Sequence, residues 1–137
     1  MIRTFILPGA LAAAVSICGP AAAQSFYDGP YPQQGGEAIY KGICQGCHMP
    51  DGKGAVGAGA YPALGGDKRL QSGAYPAMVI VRGQKAMPPF ANNFSDQQVA
   101  DVVNYIRTHF GNAYADKVGP ETVKALRPPP AAEQRPE

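Results

Sequence analysis

The chain has 137 residues, 45% of them hydrophobic, with 12 basic and 10 acidic side chains. That length suits one domain and excludes a large α/β enzyme with a separate cofactor domain, and the near-balance of charge gives no footing for nucleic-acid binding. Glycine and proline together exceed a fifth of the sequence, which predicts short helices and long irregular connections, while three cysteines are too few for a disulfide scaffold.

Residues 1–23 read as a cleaved signal peptide. Arg3 supplies the positive n-region, residues 5–17 form an apolar stretch of h-region length, and Ala21-Ala22-Ala23 offers the small-residue cleavage site, with Gln24 as the mature N-terminus. A spanning helix needs about 20 apolar residues, and Pro8, Gly9 and Gly19-Pro20 interrupt this run. Lipidation at Cys18 is the alternative, against which Ile17 stands where such signals want a small residue. No later stretch is apolar enough to cross a bilayer, so the expectation is a soluble periplasmic protein without an anchor after processing.

Residues 24–35, rich in Pro, Gly, Gln and Tyr, read as a flexible leader. A short helix is predicted over 36–43, followed at once by Cys44-Gln45-Gly46-Cys47-His48. The glycine-rich stretch 49–66 reads as a long irregular loop, and it lacks the Gly-Lys-Ser/Thr ending of a phosphate-binding loop. One helical turn is predicted over 67–70 and a helix over 75–82, with Pro76 in its first turn and Gly83 as its stop. The strongest helix signal covers 96–110. Ser95 with Gln98 makes a capping-box pattern, and Val99, Val102, Val103, Ile106 and Phe110 share one face. Gly111-Asn112 ends that helix, and a further turn or two is predicted over 120–126, before Arg127-Pro128-Pro129-Pro130 and a mobile tail. No segment alternates convincingly as a strand. The fold expected is all-α: a body over 36–112 of three or four short helices with long irregular loops, and a partly helical extension over 113–137. So small and glycine-rich a body is hard to stabilise on its own side chains, which suggests that a bound group fills its middle.

Cys44-x-x-Cys47-His48 is the attachment signature for a covalent c-type haem. Two thiols at that spacing can add to the two vinyl groups of one porphyrin, and the adjacent imidazole is then held under the iron. Three other readings compete. Structural zinc would need further ligands, and outside the signal peptide His109 is the other Cys or His in the chain. A thioredoxin-like dithiol would need a βαβ frame, and a structural disulfide would leave His48 unexplained. A sixth iron ligand could come from Met49, Met78, Met87 or His109. Met49 adjoins His48 on the same side of the ring, Met78 lies inside an apolar helix as a gap-filler, and His109 sits where a helix dipole favours it without any ligand role. Met87 is the favoured candidate, because it precedes Pro88-Pro89, a stiff segment suited to holding a thioether against iron.

With these motifs the sequence resembles the class I cytochromes c. Gly36-x-x-x-Tyr40-x-x-x-Cys44 is similar to the family's N-terminal helix, where the glycine lets the C-terminal helix cross closely, and Val102-x-x-Tyr105 is similar to the facing surface. The resemblance implies that the Pro62 carbonyl of Tyr61-Pro62-Ala63-Leu64-Gly65 orients His48, and that Met87-Pro88-Pro89-Phe90 is the axial methionine loop. More narrowly, residues 95–107 with Gly111-Asn112, and 118–127 beyond them, resemble haem domains in cytochrome subunits of bacterial periplasmic dehydrogenases for alcohols and sugar acids. The chain departs from the multi-haem members in having one attachment motif and no anchor, which favours a soluble carrier or a small dehydrogenase-associated subunit over direct quinone reduction.

The function this implies is single-electron transfer on one covalent haem c, with His48 and Met87 as metal ligands and Cys44, Cys47 and Pro62 completing the cofactor site. A periplasmic dehydrogenase is the implied donor, and a respiratory oxidase or another cytochrome the acceptor. Met/His ligation leaves no open position for oxygen or peroxide. The alternative is a haem enzyme or sensor with a labile sixth ligand. Lys68, Arg69, Arg82 and Lys85 against Asp67 mark a basic segment beside the methionine loop, a candidate docking surface for an acidic partner.

Overall fold

The computed structural model describes residues 29–57 and 59–129; the predicted signal peptide and the end of the Pro-rich tail lie outside the described residues. Helix α1 (Gly36–Ile39) passes without a break through a π-helical turn, Tyr40–Cys44, into α2 (Gln45–His48). The helix predicted to stop at 43 therefore carries Cys44, Cys47 and His48 on its own last turns. It ends only at Met49, whose φ of 64° is incompatible with a further turn. Glu37 and Lys41 pair across one turn at 2.6 Å.

Ile39 and Tyr40 point from this helix into the core, where α1 crosses α4 (Asp96–Thr108). The crossing needs a glycine: a Cβ on Gly36 would run into the Asp101 carbonyl and Tyr105 Cβ. Elsewhere in a helix Gly→Ala adds about 1 kcal/mol of stability. Gly36→Ala is expected to do the reverse, costing about 1–3 kcal/mol through overpacking, read as a lower denaturation midpoint.

Helix α4 starts at the predicted capping box. Ser95 Oγ accepts from the Gln98 backbone N–H at 3.2 Å, and Gln98 Oε1 accepts from the Ser95 N–H at 2.8 Å. The Gln98 amide then donates to the carbonyls of Tyr31 and Gln33, both at 2.8 Å. The described part of the lead-in, residues 29–35, is thus held along α4 rather than loose. Val99, Val102, Val103 and Ile106 face the core as their spacing predicts. The helix stops at Thr108, two residues before the predicted end. Asn112 reaches back to the Ile106 carbonyl at 2.8 Å, and Phe110 and Gly111 turn to φ of 59° and 84°. His109 therefore lies just past the helix, not in its last turn.

Beneath α4 lie a 3₁₀ turn (Lys68–Gln71), capped by Asp67, and α3 (Ala74–Arg82), whose Ala77, Ile80 and Val81 are buried. Helix α5 (Pro120–Leu126) begins with Pro120 at its first turn and packs Val123 against α3 and α4. The glycine-rich loop contains a two-stranded hairpin, β1 (Ala55–Val56) and β2 (Ala60–Tyr61), antiparallel with Ala55 opposite Tyr61. Two residues per strand are too few to show alternation in a sequence.

Arg107 is fully buried on α4, and its guanidinium donates to the carbonyls of Leu70, Gln71 and Asp116 and to the Asp116 carboxylate at 2.6 Å. It joins the 3₁₀ turn to the segment that leads into α5. Through that bond Arg107 holds the Asp116 carboxyl below the usual carboxylate range. A lowered folded-state pKa means the pair's contribution is fully present above about pH 4, the unfolded value, and is lost as pH falls through the folded one. Asp116→Asn is expected to lower the thermal midpoint at neutral pH and to converge with wild type in acid. A gap that persists unchanged into acid would contradict this.

Candidate functional site

The π-helical turn ends at Cys44, so Cys44 and Cys47 stand three residues apart on one helical end, with His48 the last residue of α2. Both cysteines are free thiols; Cys47 is exposed, whereas burial pushes the Cys44 thiol up to about 12.

His48 Nδ1 lies 3.0 Å from the Pro62 carbonyl oxygen. A carbonyl can only accept, so Nδ1 carries a proton, and the neutral ring in this tautomer presents its lone pair at Nε2, the arrangement an imidazole ligand needs. The loop that brings Pro62 there is held at several points. Gly54 N–H donates to the His48 carbonyl at 3.1 Å, and a Cβ on Gly54 would strike the Tyr61 carbonyl and the Pro62 backbone. Leu64 N–H donates to the Gly52 carbonyl at 2.7 Å. The Asn112 side chain donates to the Leu64 carbonyl at 2.9 Å and accepts from Gly66 N–H at 3.0 Å. On the helix side, the buried Tyr40 hydroxyl donates to the Met49 carbonyl at 2.7 Å, fixing the residue after His48. Burial, foremost, pushes the Tyr40 phenol up to about 12, so the hydroxyl stays protonated and able to donate. The sequence does not mark Gly54 or the Tyr40 hydroxyl as site residues, and it marks Asn112 only as part of a helix stop. Each acts on backbone carbonyls distant in sequence, for which residue type alone gives no signal.

Met87 closes a tight turn after α3. Gln84 and Met87 exchange both backbone bonds at 3.0 Å, Lys85 between them takes φ of 54°, and Gly83 has φ of 72°. A side chain at Gly83 would press on the Met87 carbonyl and the Pro89 nitrogen at 2.8 Å. The Met87 side chain is half-buried against the core. Beyond Pro88-Pro89, Phe90 N–H donates to the Ile80 carbonyl at 2.9 Å, and the Phe90 ring stacks on Phe94 at 5.1 Å. The other sulfur candidates, Met49 and Met78, are also half-buried. His109 is exposed, stacked on Tyr105 at 3.9 Å, with Nδ1 at 2.8 Å from the Tyr105 carbonyl.

Two thiols, an imidazole with Nε2 available, a thioether in a rigid turn, and half-buried Ile43, Leu64, Phe90 and Ala91 bordering the core match the donor chemistry and apolar contact that a covalent porphyrin needs. Among the described residues no group of three or more His, Cys, Asp or Glu is arranged to hold a metal ion, so the zinc reading finds no ligand set there.

The basic segment is weaker than its composition suggests. All four cations are exposed, but Asp67 pairs with Arg69 at 2.8 Å and Arg82 donates to the Leu126 carbonyl, which leaves Lys68 and Lys85 as the two without a polar partner among the described residues. Among the described residues no helix is long and apolar enough to cross a membrane.

Residues 32–106 match the family model described as cytochrome c oxidase, cbb3-type, subunit III. The fructose dehydrogenase cytochrome subunit of Gluconobacter japonicus is 32% identical over 107 residues, covering 67% of this chain and 22% of that protein. The gluconate 2-dehydrogenase cytochrome c subunit of Pantoea cypripedii is 33% identical over 69% of this chain and 24% of its own length. Cytochrome c6 of Synechococcus elongatus is 30% identical over 58% of this chain and 93% of its own length. The chain thus spans less than a quarter of these two dehydrogenase subunits but nearly all of the small cytochrome.

Proposed function

The chain belongs to the cytochrome c family, whose small all-α fold its described residues take, and on that premise we propose that it carries single electrons on one covalent haem c ligated by His48 and Met87. When bound, the haem supplies a one-electron ferrous–ferric couple. The chain's own residues do the rest. Cys44 and Cys47 fasten the ring, the Pro62 carbonyl fixes the His48 tautomer and ring plane, and the turn from Gly83 to Pro89 holds the Met87 sulfur. The observation that carries this reading is the His48 Nδ1–Pro62 contact at 3.0 Å on the helical end that also bears Cys44 and Cys47. A potentiometric titration of the purified protein with optical readout tests it: a c-type spectrum with a one-electron Nernst slope is expected. A chain purified without haem from a haem-attaching host would defeat the reading.

Relatives that are named as cytochrome subunits of dehydrogenases support a dehydrogenase as donor; a periplasmic setting, with an oxidase or another cytochrome as acceptor, completes the proposal. Secretion through cleavage before Gln24 fits that setting, and the intact mass of the exported protein checks it. With Arg69 paired to Asp67 and Lys68 and Lys85 the unpaired cations of the segment, docking on an acidic partner gains only modestly from charge. The second-order rate of reduction by the donor is expected to fall about two- to fivefold between low and physiological salt, and less for Lys85→Glu. A rate independent of salt in both would make docking apolar.

A further inference from the structure

The methionine turn stands on two feet, and both are joined by consecutive residues from the far end of the chain. The first foot is the end of α3, where Arg82 Nε donates to the Leu126 carbonyl at 3.1 Å. The second is the turn from Phe90 into α4. There the Arg127 guanidinium donates to the Ala91 carbonyl, to the Phe94 carbonyl at 2.7 Å, and to the Asp96 carboxylate at 2.5 Å. Only a planar fork with several donors can meet three acceptors on three sides, and this one is three-quarters buried. Asp96 in the first turn of α4 balances its charge, and Leu126 just before it packs against the core. Between the feet, Pro88 and Pro89 have fixed φ and Phe90 N–H is tied to the Ile80 carbonyl at 2.9 Å, so the segment from Met87 to Ala91 has few free dihedrals in which to relax.

We propose that Arg127 is a positioning residue for the sixth ligand: with Leu126 it ties α3 to the Ala91–Asp96 turn and thereby limits how far the Met87 sulfur can leave the iron. The proposal rests on the reading of Met87 as that ligand. It gives Leu126 at the end of α5 and Arg127 after it a task in the electron-transfer site.

The measurement is the limiting rate at which saturating imidazole displaces the sixth ligand of the ferric holoprotein, together with the reduction potential. Arg127→Gln is expected to raise that rate about tenfold and to lower the potential, since it loses charge-assisted bonds that hold the turn closed. Arg127→Lys, which keeps the charge without the fork, should fall between Gln and wild type. Ile39→Val, a core change on α1, serves as a destabilised comparison and should leave the displacement rate within about twofold of wild type. Equal acceleration in Arg127→Gln and Ile39→Val would reduce Arg127 to general stability and overturn the proposal, as would no acceleration in either. If the wild-type ferric protein shows no methionine–iron band, the reading of Met87 fails and the proposal goes with it. A wild-type band with an unaltered Arg127→Gln rate removes the proposal alone.

Discussion

Replacing both Cys44 and Cys47 with alanine in a haem-attaching host is expected to yield a chain that is largely unfolded at room temperature. The buried hydrophobic cluster is built mainly from small residues, four valines on α3 and α4 among them, and Arg107 occupies fully buried volume at its edge. Ile43, Leu64, Met87, Phe90 and Ala91 are only half-buried by the protein itself. A domain of this size has about 5–15 kcal/mol of net stability, and a group that binds only the folded state supplies a large share of it. Links at Cys44 and Cys47 would hold that group at one end of α2, so their loss would remove packing from both sides of the site. Far-UV circular dichroism and thermal melting of the double variant read the outcome. A cooperative melt with native helix content would show that the polypeptide core suffices alone.

On the proposed ligation, Met87→Ala is expected to keep the covalent haem and lose the methionine–iron charge-transfer band, because Cys44 and Cys47 lie on the helix that ends at His48 and Met87 in the turn after α3. The reduction potential should fall on the order of 0.2 V, since axial ligation sets c-type and related potentials over a range of about 0.8 V. The open position should then take imidazole or cyanide without a step limited by ligand loss. The scaffold around the change should hold, because the Gln84–Met87 bonds are made by backbone and Gly83 keeps its conformation. An unaltered spectrum would transfer the ligand role to another side chain, with Met78 half-buried on α3 the first to examine.

The parts of this molecule that were legible in the sequence are those with local chemical signatures. The capping box at Ser95 and Gln98, the core stripe from Val99 to Ile106 and the Pro120 helix start all depend on neighbours within a turn, whereas the glycine at the α1–α4 crossing, which meets Asp101 and Tyr105, was legible only through the family resemblance. The attachment motif was legible for the same reason, as a fixed spacing of reactive groups. What could not be read depends on partners far along the chain. The helix predicted over 36–43 runs on to His48 because a π-helical turn keeps it going through Cys44 and Met49 stops it, and neither carries a residue-type rule. Arg107, Arg127 and Asn112 each bind backbone carbonyls of segments 6 to 48 residues away. A carbonyl is present at every residue, so its choice of donor leaves no mark in the sequence. The same limit explains the basic segment: four cations were visible, but the pairing of Arg69 with Asp67 and the turn of Arg82 toward Leu126 were not.

The most direct test of His48/Met87 ligation on one haem is the near-infrared magnetic circular dichroism of the ferric protein, taken with its intact mass. One haem adduct per chain and a low-spin histidine–methionine band that disappears in Met87→Ala are the predicted result. A low-spin bis-histidine band or a high-spin five-coordinate spectrum in the wild-type protein would contradict it.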